Sequence, residues 1–111
     1  ENLLATALRE TSEEIGLHVE SSNVIAQLPI VYTRLGFEIT PFVSIFSETP
    51  EFKPKADEVE EILEIPFVSL LARQERDVEF NQEQEVIYWF SQHRIWGASA
   101  RILQKIQQFI V

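Results

Sequence analysis

Glu1-Asn-Leu-Leu-Ala-Thr-Ala-Leu-Arg9-Glu10-Thr-Ser-Glu13-Glu14-Ile-Gly16-Leu17 opens the chain, and the reading of the rest depends on it. Leu4, Leu8, Thr11 and Ile15 recur at three- and four-residue spacing, which predicts an amphipathic helix with one apolar stripe. Gly16 follows as its stop, in the position where a left-handed turn is easiest. Away from the stripe, Glu10, Glu13 and Glu14 fall at i, i+3 and i+4, which gathers three carboxylates on one side of the helix. Like charges this close cost about 0.2–0.5 kcal/mol per pair unless a cation offsets them.

Working outward, Val24 to Thr33 and Phe37 to Phe46 are rich in β-branched and aromatic residues and flank Arg34-Leu35-Gly36, which predicts a hairpin of two long antiparallel strands. Ser47 to Asp57 contains Pro50, Pro54 and several charges and reads as an exposed loop. Val59 to Ile65 returns to strand-like composition, Pro66 opens a short helix through Leu71, and Val86 to Phe90 reads as a further strand. Ile102, Leu103, Ile106 and Ile110 share one stripe of a terminal helix, with Lys105 near its close. No repeat, low-complexity segment or linker interrupts the chain, so residues 1–111 read as one domain.

The composition narrows the chemistry. With 111 residues, 45% hydrophobic, the chain can bury a core. A formal net charge of −9 offers no broad basic surface for a phosphate backbone, so nucleic acid is not an expected partner. The absence of cysteine removes thiol nucleophiles, disulfides and thiolate metal sites and fits a cytoplasmic protein. No apolar run reaches the length of a membrane span. Carboxylate ligands suit a hard divalent cation such as Mg²⁺ or Mn²⁺, whereas zinc recruits histidine or cysteine, and His18 and His93 lie far from the cluster in sequence.

An acidic helix face is usually solvated surface, and spacing alone does not change that reading. The order of residues does. Glu1, then Arg9-Glu10, Glu13-Glu14 and Gly16-Leu17 resemble the second half of the Nudix box, G-x5-E-x7-R-E-U-x-E-E-x-G-U, where U is aliphatic. Thr11 is the single departure from Glu1 onward, a β-branched residue that keeps the shape and adds a hydroxyl. The opening glycine of the pattern would lie six residues before Glu1, and the resemblance places the first strands of the fold there too. Thr40-Pro41-Phe42-Val43, Asp57-Glu58-Val59, Glu64-Ile65-Pro66-Phe67 and Arg94 through Leu103 look like segments of the coenzyme A pyrophosphatase branch of Nudix hydrolases.

The resemblance implies an α/β fold of the Nudix type, an α/β/α sandwich with a mixed sheet. It implies water attack on the pyrophosphate of a nucleoside diphosphate derivative, with Mg²⁺ or Mn²⁺ as cofactor. Coenzyme A or an acyl-CoA is the first expected substrate, giving 3′,5′-ADP and 4′-phosphopantetheine; ADP-ribose or another nucleoside diphosphate derivative is the second. A non-catalytic Nudix-fold binding module is the alternative of another class. Glu10, Glu13 and Glu14 are the expected metal ligands, Glu14 first, and Arg9 orients its neighbouring carboxylates. Glu13 and Glu58 are the remaining catalytic candidates, Glu58 as metal ligand or general base. Glu1 would assist at the start of the helix. A homodimer is compatible with the resemblance. Trp89 and Trp96 are expected in the core and His18 and His93 as structural residues; Arg94 and Arg101 are candidate phosphate contacts, though Arg101, at helical spacing from Lys105, reads more simply as part of a solvated face.

Overall fold

The computed structural model describes residues 2–76 and 85–110, with the side chain of Ile110 left aside. Glu1 therefore lies outside the described residues. Three helices and seven short strands follow one another: α1 (Leu3–Ile15), β1 (Val24–Gln27), β2 (Val31–Tyr32), β3 (Glu38–Ile39), β4 (Phe42–Ser44), α2 (Phe67–Leu71), β5 (Gln74–Arg76), β6 (Val86–Phe90), β7 (His93–Ile95) and α3 (Gly97–Ile110). The chain is α/β, and the strand pairs among the described residues are all antiparallel, consistent with a Nudix fold. A parallel pair, which a mixed sheet requires, is not among them. The chain divides into two compact units, one of Glu1–Gln27 with Phe42–Leu63, the other of Leu28–Pro41 with Glu64–Val111.

In the first unit, α1 begins at Asn2, whose Oδ1 accepts from the Ala5 amide at 2.8 Å. It ends at Gly16, which adopts φ +66° and donates its amide to the Ser12 carbonyl. Leu4, Leu8, Thr11 and Ile15 are all half-buried, as the stripe requires. Thr11 satisfies its hydroxyl by donating to the Ala7 carbonyl at 2.7 Å, so the departure from an aliphatic residue leaves no polar atom unpaired. β1 pairs with β4 through Ala26↔Val43 and Gln27↔Phe42, with a bulge between Val24 and Ala26.

The hairpin forms, but its strands are broken. The turn is closed by Thr33, which donates to the Phe37 carbonyl and accepts from the Gly36 amide, and its two ends continue as β2 and β3. Pro29 and Pro41 interrupt the ladder on each side, because proline has no amide to donate. A single bond, from the Leu28 amide to the Pro41 carbonyl at 2.9 Å, spans the gap.

The strand expected over Val59 to Ile65 does not form. Glu60, Glu61 and Glu64 crowd this stretch, and acidic residues are poor strand formers. Before it, the Lys55 carbonyl accepts the amides of both Glu58 and Val59, which closes a turn instead.

The second unit carries the core. Leu70 and Leu71 from α2, Tyr88 from β6 and Ala100 from α3 are buried together, with Ile65, Val86, Phe90, Ile95 and Leu103 packed around them. Pro66 stands at the start of α2, as expected. Ile102, Leu103 and Ile106 of the α3 stripe are half-buried. Tyr88 is fully buried, and its hydroxyl accepts from Gln74 Nε2 at 2.8 Å and donates to Gln107 Oε1 at 3.0 Å. β5, β6 and β7 form one sheet, β6 and β7 joined by a two-residue turn at Ser91 and Gln92.

Candidate active site

The box helix presents its acids on two ridges. Glu10 and Glu14 lie one turn apart on the first, Arg9 and Glu13 on the second, and all four are exposed. Arg9 Nη1 donates to both oxygens of Glu13, each at 3.1 Å. This pair separates the three glutamates: Glu13 is engaged by a cation on the protein, and Glu10 and Glu14 form the other ridge.

The C-terminal end of α1 is docked against the loop that follows β4. The amide of Lys53 donates to the Ile15 carbonyl and that of Lys55 to the Glu14 carbonyl, both at 2.7 Å. These bonds satisfy carbonyls that a helix end leaves without intrahelical partners. They also attach the segment carrying Glu58 to the residue expected to lead in metal binding. Lys55 Nζ meets Glu58 Oε1 at 3.2 Å. Gly16 makes the approach possible: a Cβ there would stand 2.6 Å from the Lys53 Cβ and 2.8 Å from its carbonyl oxygen. The reading of 47–57 as a plain exposed loop missed this contact. The glycine stop was the available signal, since it marks a place where backbone can come close.

Beside the second ridge is a cleft of about 590 Å³ lined by residues that include Arg9, Ser12, Glu13, His18 and Glu20. His18 Nε2 and Glu20 Oε1 are 2.9 Å apart on its wall, both well exposed.

The donor set fits a hard cation: exposed carboxylate oxygens, two of them on one helical ridge. Among the described residues no three acids or histidines converge into a closed cage. That arrangement suits Mg²⁺, which keeps several waters and is bound through one or two carboxylates together with substrate phosphates.

Three residues depart from their expected settings in the second unit. Trp96 is not in the core; it is 46% exposed, with the guanidinium carbons of Arg34 and Arg94 each 5.7 Å from its ring centroid. Arg101 is not on a solvated face. It is half-buried, pairs with Glu85 at 3.2 Å and donates through Nη2 to the Tyr32 carbonyl. Helical spacing from Lys105 concealed this, because the partners come from distant parts of the sequence. Trp89, expected in the core, is only half-buried and donates Nε1 to Glu75 at 3.2 Å, and His93 stacks with Phe90.

The sequence similarities of the chain are to Nudix hydrolases, and they support its place in the Nudix superfamily. The relatives include proteins named as uncharacterized Nudix hydrolase NudL. The one from Pectobacterium atrosepticum is 32% identical over 110 residues, covering 95% of this chain and 57% of the relative. The one from Photorhabdus laumondii is 31% identical over 112 residues, covering 96% and 60%, and that from Salmonella paratyphi B is 31% identical over 110 residues, covering 95% and 57%. The chain thus spans about three fifths of the length of these relatives. No protein-family model matches the chain, and no solved structure matches it significantly. No helix among the described residues is long and apolar enough to cross a membrane.

Proposed function

We propose that this chain carries the metal-binding part of a Nudix pyrophosphohydrolase, and that its substrate is coenzyme A or an acyl-CoA, cleaved to 3′,5′-ADP and 4′-phosphopantetheine. The observation that supports the hydrolase reading best is the box helix itself, with Glu10 and Glu14 on one exposed ridge and Arg9 holding Glu13 by both oxygens. The substrate reading rests on the likeness of residues 40–43, 57–59, 64–67 and 94–103 to the coenzyme A branch.

In this reading Glu10 and Glu14 hold a divalent cation, Mg²⁺ or Mn²⁺. When bound, the cation offsets charge on the pyrophosphate oxygens and makes water a stronger nucleophile. Arg9 keeps Glu13 from swinging onto the other ridge, so that a carboxylate remains beside the first pair without joining it. Glu13 and Glu58 are the two groups proposed to accept the proton of the attacking water. The docking of the 53–58 loop on the Glu14 and Ile15 carbonyls fixes the backbone on which Glu58 stands. A net charge of −9 is compatible with an anionic substrate because the cation stands between them.

The two compact units are read as parts of one domain, since the chain passes between them at three points and neither unit is a continuous stretch of sequence. The protein, cytoplasmic in this reading, acts alone or as a homodimer.

The test is hydrolysis of coenzyme A, acetyl-CoA, ADP-ribose and nucleoside triphosphates with Mg²⁺ or Mn²⁺, followed by release of the adenine nucleotide. The expected result is fastest turnover of coenzyme A or its thioester, lost with Glu14→Gln. Faster turnover of ADP-ribose would reassign the substrate, and no turnover of any compound would remove the catalytic reading.

A further inference from the structure

Lys55 is joined to the box helix and to Glu58 by different atoms. Its amide donates to the Glu14 carbonyl at 2.7 Å, and its carbonyl accepts the amides of Glu58 at 3.0 Å and Val59 at 2.8 Å. Its ammonium donates to Glu58 Oε1 at 3.2 Å. All of these residues belong to the first unit. Glu58 is thus tied to one residue by its backbone and by its carboxylate, and that residue hangs from the end of the helix that carries Glu14.

Stability does not explain the side-chain bond. The Lys55 and Glu58 side chains are 51% and 47% exposed, and an ion pair that open to water contributes little. What the bond fixes is direction. A glutamate without a partner spreads its carboxylate over several rotamers, and a donor standing on a tethered turn selects among them. The bond also engages one oxygen only. Among the described residues Glu58 Oε2 accepts no hydrogen bond, whereas both oxygens of Glu13 are taken by Arg9.

We propose that Lys55 is a positioning residue for the hydrolysis, holding Glu58 by Oε1 so that Oε2 is left to take the proton of the attacking water. This rests on the proton-accepting role proposed above for Glu58. In that step an O–H bond of the water breaks and Oε2 gains the proton. The water oxygen keeps the electron pair with which it attacks phosphorus, displacing the other phosphate. Lys55 acts through Glu58 alone and touches neither the water nor the substrate.

Steady-state kinetics tests it, with Mg²⁺ and whichever of the compounds above turns over fastest. Lys55→Met should lower kcat at least about tenfold with KM unchanged, and Lys55→Arg, which keeps a charged donor, should restore most of it. In Glu58→Gln, itself slowed, Lys55→Met should add nothing, because residues that act as one unit are not additive. Lys53→Met removes the same charge two positions earlier, where the docking bond is made by the backbone, and should leave kcat unchanged. Full kcat in Lys55→Met, an equal loss in Lys53→Met, or an undiminished further loss in the Glu58→Gln background would overturn the proposal. No turnover of any compound would overturn the hydrolase reading and this inference together, whereas loss of turnover in Glu14→Gln beside full kcat in Lys55→Met removes this inference alone.

Discussion

Gly16→Ala tests the junction between the box helix and the loop that carries Glu58. Two costs arise. The residue adopts φ +66°, and a side chain in the left-handed region costs about 1–2 kcal/mol. The added Cβ would stand 2.6 Å from the Lys53 Cβ and 2.8 Å from its backbone oxygen, so the loop has to retreat. Retreat breaks the bonds from Lys53 to the Ile15 carbonyl and from Lys55 to the Glu14 carbonyl. Each is worth about 0.5–1.5 kcal/mol net, which brings the full loss to about 2–5 kcal/mol. Gly36→Ala is the control, since Gly36 has φ +86° but nothing within 4 Å of an added Cβ. It should cost only the conformational part, about 1–2 kcal/mol. Urea denaturation measures the two losses, and hydrogen exchange at the Lys53 and Lys55 amides localises the first. Equal losses in the two variants, with exchange at Lys53 and Lys55 unchanged in Gly16→Ala, would refute the close-approach reasoning.

Two other outcomes are expected. Arg9→Ala should lower hydrolysis about 10- to 100-fold, as loss of a residue that orients metal-site groups does, while costing at most about 0.5 kcal/mol of stability, because both partners of its ion pair are exposed; kinetics beside thermal melting separates the two effects. Tyr88→Phe should cost about 1 kcal/mol, because Gln74 Nε2 and Gln107 Oε1 are already 3.0 Å apart and keep each other when the hydroxyl is removed. If the two units form one domain, Tyr88→Phe in the second and Gly16→Ala in the first should shift a single unfolding transition, seen by both near- and far-ultraviolet circular dichroism.

The elements legible in the sequence were those whose signal is local. α1 carries its stripe, its acids and its stop within sixteen residues, and α3 its stripe within ten. The hairpin tip was legible from Arg34-Leu35-Gly36. The ladder around it was not, because the β-branched and aromatic composition is that of continuous strands, whereas the missing amides of Pro29 and Pro41 break it. β5 escaped notice because Gln74, Glu75 and Arg76 are all exposed and show no alternation. Val59 to Ile65 misled in the opposite way, with apolar residues at strand spacing among acids that prefer a turn and coil.

In the candidate site, sequence order named Arg9, Glu10, Glu13 and Glu14 but could not divide them into two ridges with different partners. That division follows from the bidentate bond between Arg9 and Glu13. The docking of residues 53–58 on α1, the environment of Arg101 and the approach of Arg34 to Trp96 are all contacts between distant segments. No periodicity records them.

Glu10 and Glu14 are proposed to hold a divalent cation, and Mn²⁺ titration followed by electron paramagnetic resonance tests this without reference to any substrate. Glu14→Gln should weaken Mn²⁺ binding at least tenfold, while Glu20→Gln, which alters an exposed acid paired with His18, should leave it unchanged. Equal Mn²⁺ affinity in Glu14→Gln and the unaltered protein would contradict it.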